Sequence, residues 1–324
     1  MMIRWFIRAA VSAVVVAILL SLIPLGSVLE ALGRISVWTW SAGVGVLLTG
    51  HALNALKVRL LLRAAGSRET GLTAACLRAQ FAGLVANLGL PGLAGGDLVR
   101  AAYLVPKAGL KAVAVATVTD RVIDTVTLFV LVGVALPFAG TPPLILTVVA
   151  HAGEWIAAGL VLAIISGLVL MRLPRFVGLP ARIADARRTL AASPSALFGA
   201  VLISVSVQSA FVMTNVWLAR QAGVTTGLAA WFVAWPLSKL VAILPISLGG
   251  LGVREAALVS LLAPYGAPRE AVLASGILWQ AVFIVTSLVG LLATQALIHS
   301  RPSDTAGRTA AKSESGVAPL AKET

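Results

Sequence analysis

The stretch Asn87-Leu-Gly-Leu-Pro91-Gly-Leu-Ala-Gly95-Gly96-Asp97-Leu-Val-Arg100 decides how the chain is read. It ends an apolar run over residues 72–90 with a proline and a pair of glycines. Proline lacks the N–H that a helix interior needs, and glycine lowers helix propensity, so the helix stops there. In contact with lipid a broken backbone has nothing to bond to; it survives only where protein or a wet cavity covers it. A re-entrant helical hairpin is the natural reading. The chain then does the same again: Leu244-Pro245-Ile-Ser-Leu-Gly249-Gly250-Leu-Gly252-Val-Arg254-Glu255 interrupts the apolar stretch 228–262. Pro, Gly, Gly, Val and Arg recur at a constant offset of 154 residues, giving P-x-x-x-G-G-x-x-V-R twice. Five identities in ten ungapped positions point to an internal duplication.

Around these two breaks the composition is that of a membrane protein. Of 324 residues, 59% are apolar and 11% charged, and mean hydropathy is +0.99. A water-soluble domain carries about a quarter of its residues as charges. Apolar runs long enough to cross a hydrocarbon core of ~30 Å occupy about 9–29, 36–56, 112–138, 155–171, 195–219 and 271–298. The expected fold is therefore all-α and polytopic, with six full transmembrane helices and two broken or re-entrant hairpins. Residues 1–8 form a basic N-terminus, 9–298 one transmembrane domain, and 299–324 a disordered tail rich in Ser, Thr, Ala and Lys.

The 25 Lys+Arg exceed the 12 Asp+Glu by 13, and their placement orients the chain. With both hairpins entering and leaving on one side, 17 of the 25 fall in cytoplasmic segments and only Arg34, Arg220 and Arg269 fall outside. The cytoplasmic set includes the exit Lys57-Val-Arg59-Leu-Leu-Leu-Arg63 and the loop arginines 172, 175, 182, 187 and 188. Both termini are then cytoplasmic. Three full spans separate the hairpins, so the second half (155–298) repeats the first (9–138) upside down. Inverted repeats with paired broken helices are an architecture of alternating-access carriers, whose substrates bind at the breaks. Basicity of this kind is orientation signal and does not imply nucleic acid. The eight Trp, among them Trp38, Trp40, Trp155, Trp231 and Trp235, fall near helix ends and read as an interfacial belt.

Several chemistries find no support. Cys76 is the single cysteine, and His51, His151 and His299 are too far apart to share a metal. Nucleotide-binding and serine-hydrolase motifs are absent from the sequence, so neither a metal nor a cofactor is expected. What remains is a set of charges inside the membrane: Arg78, Arg100, Arg121, Lys239 and Arg254, with Asp97, Asp120, Asp124 and Glu255. Each costs about 2.5–3.5 kcal/mol at a helix centre unless paired or wetted. Gly95, Gly96, Asp97 and Arg100 in the first hairpin, and Gly249, Gly250, Arg254 and Glu255 in the second, are the candidates for binding an anionic headgroup. Glycine admits close backbone approach and arginine offers a planar fork to phosphate. The same residues can instead be caps and ion pairs that hold the breaks. Asp120, Arg121 and Asp124 are a proton relay or an anchor for Arg100 or Arg254. Lys239 reads as a snorkelling or pairing residue, and His51 with Asn54 as an interhelical hydrogen-bonding pair.

The two Pro/Gly/Arg segments, with Asp120-Arg121-Val-Ile-Asp124 and the basic exit 57–63, resemble the flippase-like transmembrane region of the lysylphosphatidylglycerol synthase family. The resemblance spans about 10–298. It implies a bacterial or archaeal inner-membrane protein that moves lipids between leaflets, without the soluble aminoacyl-transferase domain of bifunctional members. The expected function is a non-enzymatic flippase or transporter for an anionic phospholipid or lipid-linked precursor. An embedded enzyme using Asp120 and Asp124 and a non-catalytic assembly partner are the alternatives. Expected partners are membrane lipid, a second copy of the chain, and a lipid-synthesising enzyme.

Overall fold

The computed structural model describes residues 36–89, 94–140, 146–147, 151, 185, 188, 191–243 and 252–299. Eight α-helices carry the architecture of these residues: α1 (Val37–Ala64), α2 (Leu72–Gly89), α3 (Ala94–Ala108), α4 (Leu110–Ala135), α5 (Pro194–Gln221), α6 (Leu228–Ile243), α7 (Val253–Leu262) and α8 (Arg269–His299). The expected spans at 9–29 and 155–171, the tail, and the prolines and second glycine pair of the motifs (Pro91, Pro245, Gly249, Gly250) lie outside the described residues, as does nearly all of the basic loop.

α1, α4, α5 and α8 are each long and apolar enough to cross a membrane. At 1.5 Å rise per residue the 28 residues of α1 reach about 42 Å, more than a bilayer core. α2 and α6, with 18 and 16 residues, reach only about 27 and 24 Å. Caps fix the ends. Ser36 Oγ accepts from Thr39 N–H at 3.1 Å at the start of α1. α1 and α5 both end in a left-handed glycine, Gly66 and Gly223, after which Ser67 and Val224 N–H return to Leu62 and Ala219 C=O.

α4 shows why this is a membrane fold. Val118, Val122, Val126, Val130 and Val134 form an i, i+4 ridge that is 48–64% exposed, while Asp120 on the opposite face is 3% exposed. In water that arrangement would be inside out; against lipid it is the stable one.

α2 and α3 form an antiparallel hairpin, as expected. Gly96 sits against Asn87, and Arg100 against Gly83, so each step forward on α3 is a step back on α2. A Cβ on Gly83 would stand 2.6 Å from Arg100 Cγ and 2.9 Å from Gly96 C=O. Backbones this close are the usual solution between membrane helices, where packing rather than water expulsion holds elements together. α6 and α7 also pack on each other, and α7 is preceded by its N-cap Gly252 (φ +79°).

The packing keeps its pattern when the halves are exchanged. α1 lies on α5; α2 contacts α1, α3 and α8, and α6 correspondingly contacts α5, α7 and α4. The contacts α1·α4, α3·α4 and α4·α5 are matched by α5·α8, α7·α8 and α8·α1. Two apolar cores result, one around Leu61, Leu62, Leu72 and Val113, the other around Phe211, Val212, Trp231, Leu258 and Val282.

Trp231 and Trp235 belong to this second core, 1% and 3% exposed, which corrects their assignment to an interfacial belt; Trp38 is 81% exposed. Lys57 is likewise corrected. It is wholly buried rather than at a cytoplasmic exit, because two carboxylates of α4 meet it inside the bundle.

Candidate functional site

The polar groups converge between the two cores. Lys57 Nζ on α1 lies 3.0 Å from Asp120 Oδ1 and 2.5 Å from Asp124 Oδ1, both on α4. Ser204 Oγ on α5 donates to Asp124 Oδ1 at 2.6 Å. Across α4, Arg100 Nη2 approaches Asp120 Oδ2 at 3.7 Å while its Nη1 donates to Asp97 Oδ1 at 3.3 Å. Arg121 closes the chain by donating to Asp97 Oδ1. Three cations and three carboxylates from α1, α3 and α4 are thus linked into one neutral network. Asp120 pairs with Arg100 while Asp124 does not, and Lys57, which pairs with both aspartates, is a partner that sequence reasoning missed.

The second hairpin contributes a closed pair. Arg254 donates to Glu255 Oε1, and Glu255 Oε2 accepts Gly252 N–H at 2.9 Å, so this carboxylate also caps α7. Glu255 is 6% exposed and lies under Gly276 of α8, where a Cβ would stand 2.9 Å from its Cγ. The Arg254 guanidinium sits 5.4 Å from the Trp235 ring centroid. From there rings continue through Trp279 (4.6 Å from Trp235) and Phe211 (5.9 Å) to His51 (5.1 Å). His51 Nδ1 lies 3.4 Å from Gln80 Nε2 of α2, an interhelical contact of the kind expected for it.

Two adjoining cavities occupy the space between. One, of about 140 Å³, is lined by Asp97, Arg100, Asp120, Arg121, Asp124, Gln80 and Gln208 among others. The other, of about 120 Å³, is lined by Arg254, Trp235, Trp279 and Gln280. His51, Asn87, Phe211, Lys239 and Phe283 line both. At about 10–15 Å³ per water in this measure, each holds a small headgroup or several waters, and neither holds acyl chains.

Among the sequence candidates, Asp97, Arg100, Asp120, Arg121 and Asp124 come together in the first cavity, and Arg254 enters the second through a different wall. Gly95 and Gly96 are buried at the start of α3, and the Gly96 N–H is taken by Asn87 Oδ1 at 2.8 Å. Arg78 stands apart, donating to Gln295 Oε1 at 2.8 Å beside Tyr103. Lys239 donates to Gln208 Oε1 at 2.8 Å, a pairing residue as read, but with an amide and not a carboxylate. Ser204 and Gln208 went unnoticed in the sequence. Their spacing of four, which puts both on one face of a largely apolar helix, was the available signal. Among the described residues no group of three His, Cys, Asp or Glu could hold a metal ion.

A profile of the family described as lysylphosphatidylglycerol synthase TM region matches residues 5–290. No curated protein matches the chain.

Proposed function

The chain belongs to the lysylphosphatidylglycerol synthase transmembrane family, a membrane setting in lipid metabolism or transport, and from this we propose that it carries an anionic phospholipid or lipid-linked precursor between leaflets. One observation supports this most: a network of buried charges lines paired cavities bounded by both broken hairpins, inside a bundle whose outer face is apolar. A charged headgroup enters the cavity while its acyl chains stay in lipid, and the two hairpins expose the cavity to one leaflet and then the other. The exchange of packing partners between the halves fits a structural repeat, and an inverted repeat is the proposed basis of that alternation. On this reading the protein lies in a bacterial or archaeal inner membrane with both termini cytoplasmic, is not an enzyme, and receives its lipid from a separate synthesising enzyme.

The embedded-enzyme reading is the weaker one. Asp120 and Asp124, its acid/base pair, share one ammonium, and Asp124 also accepts a hydroxyl, so both carboxylates are engaged by the protein's own side chains. Reconstitution into liposomes with leaflet-specific reporters of anionic lipid tests the proposal. Movement of lipid without a new product is expected. Turnover into a new lipid species would favour the enzyme, and movement no faster than in empty liposomes would reject transport.

A further inference from the structure

Among the described residues, seven charged side chains line the two cavities, Lys57 and Glu255 pair with members of that set, and the nine do not balance. Lys57, Arg100 and Arg121 are matched by Asp97, Asp120 and Asp124, and Arg254 is matched by Glu255. The ninth is Lys239. No carboxylate lies within ion-pair distance of its ammonium among the described residues, and Gln208 Oε1 is its one hydrogen-bond partner among them. Asp124 faces the same cavity but is held by Lys57 and Ser204. An ammonium has three N–H donors, so two of them remain for a guest.

Its position is as informative as its charge. Lys239 lines both cavities, standing where the charged chamber meets the aromatic one. An unmatched cation in a low-dielectric interior is unfavourable unless something else answers it. Arg100 and Arg254, which the sequence motifs point to, are already answered from within the protein.

We propose that Lys239 is the principal ligand for the phosphodiester of the carried lipid, binding it at the junction of the two cavities. The proposal rests on the transport reading and deepens it. The excess of one positive charge selects a headgroup phosphate bearing one negative charge. Arg100 and Arg254 then flank the bound phosphate from opposite hairpins without giving up their own carboxylates. Loading makes the whole cluster neutral, so the charge that moves with the hairpins is small when lipid is present and larger when it is not.

The test is equilibrium binding to the purified full chain in detergent, which needs no transport. The probes are dioctanoyl phosphatidylglycerol, dioctanoylglycerol (the same tails without phosphate) and inorganic phosphate. Wild type is expected to bind the phosphodiester lipid, Lys239→Met to lose roughly tenfold or more in affinity, and Lys239→Arg to retain most of it. Dioctanoylglycerol should bind Lys239→Met and wild type alike. Lys239→Met should also raise the melting temperature of the ligand-free protein, because it removes an unanswered charge, and reduce the further rise on adding lipid. A residue with a merely structural role would lower the melting temperature instead. Unchanged phosphatidylglycerol affinity in Lys239→Met overturns the proposal, as does equal loss for dioctanoylglycerol. Inorganic phosphate binding as tightly as the lipid overturns the lipid assignment in favour of a free-anion site. Lysine-dependent binding in a protein that moves no lipid would reject the transport reading and leave the site standing, so the two failures are distinguishable.

Discussion

Lys57 and Asp120 meet 3.0 Å apart inside the bundle although 63 positions separate them in the chain, and neither is more than 4% exposed at the side chain. Removing one partner of a buried pair strands the other, which costs about 3–5 kcal/mol, whereas replacing the whole set with neutral groups costs far less. Lys57→Met is therefore expected to lose about 3–5 kcal/mol of unfolding free energy, and the double variant Lys57→Met with Asp124→Asn, which leaves Arg100 and Arg121 matched by Asp97 and Asp120, to recover most of it. Unfolding in mixed micelles measures both. A double variant as unstable as the single one would show that the charges are not the reason.

Gly83 tests the hairpin. Its missing Cβ is what lets α3 approach α2, with Arg100 Cγ and Gly96 C=O both inside 3.0 Å of where it would stand. Gly83→Leu is expected to destabilise by about 1–3 kcal/mol and to impair transport, since it displaces Arg100. Gly45→Leu, at a position with nothing within 4 Å, serves as the control and should do neither.

Arg100 and Arg254 reach the cavities from opposite hairpins. A hydrogen bond to a charged group contributes about 1.5–3 kcal/mol, so each Ala substitution should slow liposome lipid movement at least roughly tenfold, and the double variant should be slower still. Wild-type rates in the double variant would dismiss both arginines from the site.

Topology is open to direct labelling. Cys76 is buried, and as the single cysteine it can be removed to give a clean background. In that background, cysteines placed at 107 and 182 are expected to react with an impermeant maleimide from the same, cytoplasmic side. Labelling from opposite sides would mean that the first hairpin crosses the membrane.

Length and punctuation made the architecture legible. The ends of α1, α4, α5 and α8 fall within a few residues of where the apolar runs begin and end, except that α1 continues through its basic exit to Ala64. α2 ends at Gly89, where the apolar run 72–90 is expected to stop. Local rules suffice for such features because they act within one turn of helix. Lys57 was not legible for the opposite reason. Together with Arg63, which is exposed, it looks like one interfacial basic cluster. What buries it is a pair of aspartates on a helix far along the chain. Trp235 and Trp279 were obscured likewise, since composition cannot distinguish a tryptophan at a lipid interface from one stacked beneath an arginine.

The same ion network constrains how the protein is built. α4 brings Asp120, Arg121 and Asp124 into the bilayer, and alone these would cost roughly 2.5–3.5 kcal/mol each. Their counterions reside on α1 and α3, which leave the ribosome first. α4 can therefore enter against a receiving surface already charged to accept it, whereas a chain starting at α4 would arrive with nothing to receive it. Chain order and charge order coincide, and biogenesis runs in the one direction that never leaves an aspartate waiting in lipid.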